Sequence, residues 1–149
     1  MAQIREKIQE QIEDILEKNK DAIKGYEKAA EKAEKPSVRN YFTEKAKNRR
    51  VFNNDLITEM RATYTDFDHD GTASGTIHRA WMDVKAFFSG DSDEAMLEEA
   101  ARGDQSALEE YQEAIDNNDI PMSLKTILIN QAKEIEMDIE QSKSYKKVS

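Results

Sequence analysis

The sequence predicts an all-α protein: one bundle of four long helices, with a shorter fifth helix crossing between the second and the third. Three observations predict it. Apolar residues recur at three- and four-residue steps along most of the 149-residue chain, the spacing that puts them on one helical face. Only two prolines and five glycines interrupt those runs. The second half of the chain also echoes the first.

The first helix spans about residues 4–34. Ile4, Ile8, Ile12, Ile15, Ala22, Tyr26, Ala29 and Ala33 form its stripe, widened by Leu16, Ile23 and Ala30. Lys35-Pro36-Ser37 ends it, because proline disfavours helix in the residue before it and suits the first turn of the next helix. The second helix runs from about Pro36 to Thr63, with Val38, Phe42, Ala46, Phe52, Leu56 and Met60 inward. So short a turn makes the two helices antiparallel neighbours. Tyr64 to Gly75 reads as a loop, and Thr76 to about Phe88 as the crossover helix, with Ile77, Ala80, Trp81, Val84, Phe87 and Phe88 apolar. Ser92-Asp93-Glu94 then looks like a helix start, with acids where the helix dipole favours them. That helix reaches about Asn117, and Gly103-Asp104 inside it is expected to bend or weaken it. Ile120-Pro121 closes the next turn. The last helix extends to about Tyr145 on Leu124, Ile127, Leu128, Gln131, Ile135 and Ile139. Tyr26 and Tyr111 are read as matching core residues whose hydroxyls reach the bundle edge. Arg49 and Arg50 are read as holding acids of a neighbouring helix.

Ala22, Ile23, Tyr26, Ala29 and Pro36 correspond to Ala107, Leu108, Tyr111, Ala114 and Pro121 at an offset of 85. After one inserted residue, Val38, Arg39, Phe42, Ala46 and Lys47 correspond to Leu124, Lys125, Leu128, Ala132 and Lys133. The expected organisation is therefore a single domain over 1–149: one hairpin at about 4–63, a crossover loop and helix at 64–90, and a second hairpin at about 91–146. A long crossover between two hairpins is the mark of a ferritin-like plan among four-helix bundles.

Composition narrows the function. There is no cysteine, which removes thiolate metal sites, disulfides and cysteine nucleophiles. Asp and Glu number 31 against 22 Lys and Arg, and such an acidic balance repels phosphate backbones and anionic lipid. No run of apolar residues is long enough to span a membrane, and the charged N-terminus lacks the apolar core of a secretory signal. The expected setting is cytoplasmic, with no nucleic-acid or membrane partner. No serine–histidine–acid arrangement or phosphate-binding glycine loop is legible, so catalysis is not expected. The isoleucines at 4, 8 and 12 overhang the paired part of the first hairpin and are a candidate homo-oligomer contact, or cover for the crossover helix.

Two ion sites are candidates. A ferritin-like di-iron centre needs a Glu on each of two helices and Glu-x-x-His on each of the other two. Counting outward from the two turns puts Glu27, Glu44, Gln112 or Glu113, and Asn130 at one height, with Glu134 a turn away. The positions three after Glu44 and Asn130 hold Lys47 and Lys133, not His, and the only histidines are His69 and His78 in the crossover. Glu27, Glu44, Glu113 and Glu134 therefore make at most a degenerate site for a divalent metal such as iron. Asp66-Phe67-Asp68-His69-Asp70-Gly71 opens like a calcium loop, with alternate acids aimed at one centre and a glycine at the sharp turn. Its twelfth position is Ile77 where a bidentate Glu is needed, so Asp66, Asp68 and Asp70 would hold calcium weakly.

Asp21 to Ala30, then Ser74 to Lys85 with its His78-Arg79-Ala80-Trp81 core, then Leu97-Glu98-Glu99 with Arg102-Gly103-Asp104, resemble an uncharacterised bacterial family of ferritin-like four-helix-bundle proteins. The resemblance covers the chain from about residue 12 onward. It implies a fold and no activity, since the family has none established. The expectation is a non-catalytic bundle with a binding or structural role and no cofactor; the alternative is metal binding at one of the two ion sites.

Overall fold

The computed structural model describes residues 2–67 and 92–148. These form four helices and, among the described residues, no strand. They are α1 (Ala2–Lys32), α2 (Pro36–Thr63), α3 (Asp93–Ile115) and α4 (Met122–Val148). The predicted crossover helix lies outside the described residues, as do Trp81, His69, His78 and the calcium-loop residues Asp68 and Asp70.

Each helix end has a physical cause. Lys35 is extended (φ −84°, ψ 133°) and Pro36 opens α2, where a missing N–H is no loss. Lys35 offers no side-chain cap, and the carboxylate of Asp93, from another helix, holds the turn that leads into α2. Its two oxygens accept the backbone N–H groups of Glu34 and Lys35 at 2.8 and 3.0 Å. Ser92 caps α3 by accepting the N–H of Ala95 at 3.0 Å, and Asp93 and Glu94 place negative charge in the first turn. In the second turn Asn117 accepts the N–H of Asp119 at 2.9 Å and donates to Gln11 at 3.0 Å, tying the turn to α1. The expected weakness at Gly103-Asp104 does not appear: α3 passes through both without a break, and both are buried.

α1 packs along α2 and α3 along α4, and the two pairs meet through α1 against α3 and α2 against α4. Two apolar clusters fill the interior. The first gathers Ile8 and Ile12 from the start of α1, Met60 from the end of α2, Ala114 from the end of α3 and Leu124 from the start of α4. The second gathers Ala29 and Ala33, Val38 and Phe42, and Met96 and Leu97 at the opposite ends of the helices. Thus α2 and α3 run parallel, and the chain leaves Phe67 and re-enters at Ser92 at opposite ends of the bundle. Ile8 and Ile12 are fully buried in the chain's own core, packed with Met60 and Phe67. That corrects their reading as an overhang; only Ile4 stays exposed. Arg5 completes the tie at this end, pairing with Asp66 and lying over the Tyr64 ring, 5.5 Å from its centroid.

Candidate functional site: a buried ion network

Each interior stripe carries one or more polar residues at a position where the three–four spacing demands an apolar one. On α1 it is Asn19, between Ile15 and Ala22. On α2 they are Lys45 and Arg49, between Phe42 and Phe52. On α3 it is Asp104, between Ala100 and Ala107. On α4 they are Gln131, between Leu128 and Ile135, and Asp138 beyond it. Because these positions face the other helices, the four charged ones meet. Lys45, Arg49 and Asp104 are at most 2% exposed and Asp138 is 8%.

Asp104 is the hub. Its carboxylate accepts the Tyr26 hydroxyl, the Lys45 ammonium and, at 3.2 Å, Nη2 of Arg49. Asp138 faces the same two cations from α4, with Oδ2 2.8 Å from Arg49 Nη2 and 3.6 Å from Lys45 Nζ. Those are ion contacts rather than aligned hydrogen bonds. Two cations thus face two carboxylates, each touching both of the other kind. The rings around them complete the cage. Lys45 Nζ lies 4.6 Å from the centre of the Tyr26 ring and 5.2 Å from that of Tyr41. The Arg49 guanidinium lies 5.0 Å from the centre of Phe52. Tyr41 donates to the backbone carbonyl of Asp138 at 2.7 Å and shares a 2.8 Å hydrogen bond with the Ser142 hydroxyl.

Burial sets the protonation. Loss of water around Lys45 lowers its pKa, and the negative charge of Asp104 opposes that fall. Burial raises Tyr26 well above the ordinary phenol value, and the Asp104 carboxylate adds to the rise. Burial likewise raises Tyr41 and Tyr111. Burial alone would lower Arg49, but the charges of Asp104 and Asp138 help to outweigh it and hold the guanidinium charged.

A neutral counterpart lies one step along the bundle. Asn19 donates to Asn53 at 3.0 Å and to the Tyr111 hydroxyl at 3.1 Å, and Tyr111 donates to Gln131 at 2.6 Å. Gln131 and Asn53 then donate to the Phe52 and Leu16 carbonyls. The internal echo relates the two clusters. The 85-residue offset carries Tyr26 to Tyr111 and Asn19 to Asp104, and the 86-residue offset carries Lys45 to Gln131. Tyr26–Asp104–Lys45 and Tyr111–Asn19–Gln131 therefore occupy matching positions, the first set charged and centred on Asp104, the second neutral and centred on Tyr111. The two tyrosine hydroxyls end inside the bundle, not at its edge as the sequence suggested.

The four predicted carboxylates do not enter this interior. Glu27, Glu44, Glu113 and Glu134 are all exposed, and Glu27 is paired with Arg50. Counting from the turns fixed their height along the bundle but not their angle around each helix. Tyr26 and Lys45, one residue from Glu27 and Glu44, hold the inward positions. Among the described residues no three His, Cys, Asp or Glu side chains are grouped so that they could hold a metal ion. Nor does the interior donor set fit a ferritin-like di-metal centre. Two of its four charged groups are cations, and they already engage both carboxylates. Asp66 of the calcium-like loop is exposed and paired with Arg5. No described helix is long and apolar enough to cross a membrane.

A family model described as Domain of unknown function (DUF2383) matches residues 7–117. The match takes in Tyr26, Lys45, Arg49 and Asp104 and ends before α4, which supplies Asp138 and Gln131. No curated protein and no solved structure matches the chain.

Proposed function

From the premise that the chain belongs to the DUF2383 family, a domain of unknown function, we propose that it is a ferritin-like helical bundle with a structural or binding role rather than a catalytic one. One observation carries this reading. Lys45 and Arg49 occupy the interior that ferritin-like enzymes line with carboxylate and imidazole ligands, and they neutralise the two aspartates there. A metal ion entering would have to displace two buried cations. A reducing, cytoplasmic setting suits a chain without cysteine.

Elemental analysis of protein purified without an affinity tag tests the reading. Iron, manganese and zinc are expected well below one per chain, with a melting temperature unchanged by chelator. A stoichiometric pair of transition ions would overturn it in favour of the metal-binding alternative. The loop Asp66–Gly71 keeps a separate calcium proposal on its ligand spacing. Calorimetry expects heat at millimolar calcium that disappears in Asp68→Ala with Asp70→Ala; no heat ends that proposal.

A further inference from the structure

The buried charges among the described residues sort by hairpin without exception. Lys18, Lys45 and Arg49, all cations, lie on α1 and α2; Asp93, Asp104 and Asp138, all anions, lie on α3 and α4. Each has a partner in the other pair. Lys18 donates to Ser106 at 3.1 Å, Lys45 and Arg49 reach both Asp104 and Asp138, and Asp93 accepts the backbone N–H groups of the α1–α2 turn. Interior and surface charges together lean the same way. Residues 2–63 hold 14 Lys and Arg against 12 Asp and Glu, whereas residues 92–148 hold 6 against 14.

We propose that these charges are a pairing key: they let the α1–α2 hairpin dock on an α3–α4 hairpin and forbid two identical hairpins from docking on each other. A key is needed because the echo gives the two hairpins matching apolar stripes. With apolar stripes alone, α1–α2 from two chains would offer each other nearly the same interior that α3–α4 offers. In that self-pair the position facing Lys45 is Asn19 of the second copy, and four interior cations, Lys45 and Arg49 from each, find no carboxylate. In the other self-pair Gln131 faces Asp104, and four interior carboxylates find no cation. An ion stripped of water with no partner rejects the arrangement. The neutral cluster matters for the same reason. An Asp at position 19 and a Lys at position 131 would give both hairpins both charges and erase the distinction. Single polar residues fix partner and register in coiled coils in this way.

The proposal goes beyond the absence of a metal role and is tested apart from it, in the full chain. Lys45→Glu with Arg49→Glu puts acid in both hairpins; Asp104→Lys with Asp138→Lys puts base in both. Each double variant alone is expected to lose most of its helical circular dichroism. An equimolar mixture is expected to regain it at the mass of two chains, because each acidic hairpin then meets a basic one. The four substitutions in one chain, which reverse the key, are expected to regain it at the wild-type mass. Recovery in either the mixture or the reversed chain supports the key. It is overturned if a double variant alone keeps wild-type helix content and mass, or if neither combination recovers.

Discussion

Asp104 holds three donors in a place that water does not reach. Replacing it by Asn keeps the shape and removes the charge, which leaves Lys45 and Arg49 with Asp138 alone. Loss of one member of a buried charge set costs about 3–5 kcal/mol. We expect Asp104→Asn to lower the unfolding free energy by that order in urea titrations, and Glu27→Gln, at the exposed Arg50 pair, by less than about 1 kcal/mol. Equal effects would show that the interior charges contribute no more than a surface pair. The tyrosines make a second prediction. Tyr26, Tyr41 and Tyr111 hold their protons to higher pH when folded than the ordinary phenol value of 10.0. Their contribution is fully present below pH 10 and is lost as pH rises through their folded values, since the unfolded chain releases those protons first. Lys45, lowered from 10.5 by burial, acts with the opposite sign. Tyrosinate absorbance from three of the five tyrosines should therefore appear together with the loss of helical signal above pH 10. Ionisation of all five while the helices persist would contradict the burial. The apolar pattern of the sequence does not show these polar groups as a cluster, yet their spacing carries the signal. Phe42, Lys45, Arg49, Phe52 and Leu56 keep the three–four rhythm unbroken, as do Leu97, Ala100, Asp104, Ala107 and Tyr111. Attention to apolar residues alone skips the charged members of such a stripe, although a charge in phase with a core is the one that must have a partner.

At the scale of an element, periodicity and punctuation carried the helices. Pro36 opens α2 and Ser92 caps α3 where their residue types require, and the four long helices match the predicted spans to within a few residues. What local sequence could not show is a turn held by a side chain of another helix. Asp93 reads as an ordinary first-turn acid of α3, yet its carboxylate holds the N–H groups of Glu34 and Lys35 in the turn that leads into α2. Two hydrogen bonds to one buried carboxylate should contribute more than a single exposed cap. We expect Asp93→Ala to destabilise by about 2–3 kcal/mol and Ser92→Ala by about 1 kcal/mol, measured by thermal and urea unfolding. Hydrogen exchange adds a local reading: Asp93→Ala should deprotect the Glu34 and Lys35 amides, and Ser92→Ala the Ala95 amide. The reverse pattern would place the cap elsewhere.

For the whole molecule, the echo was legible because it needs only matching residue types at a constant offset. Where its two halves differ was not legible as a unit, because Asn19, Lys45, Asp104 and Gln131 become comparable only once three helices bring them together. The parallel run of α2 and α3, with Phe67 and Ser92 at opposite ends, also gives the order of synthesis a meaning. The α1–α2 hairpin leaves the ribosome complete while Asp104 and Asp138 are still to be made. At about 5–20 residues per second, Arg49 waits several seconds for Asp138. In that interval Lys18, Lys45 and Arg49 would favour water over a second copy of the same unfinished face, since like charges repel and an unpaired charge resists burial. The groups that lock the finished bundle would thus also discourage clumping of its first half.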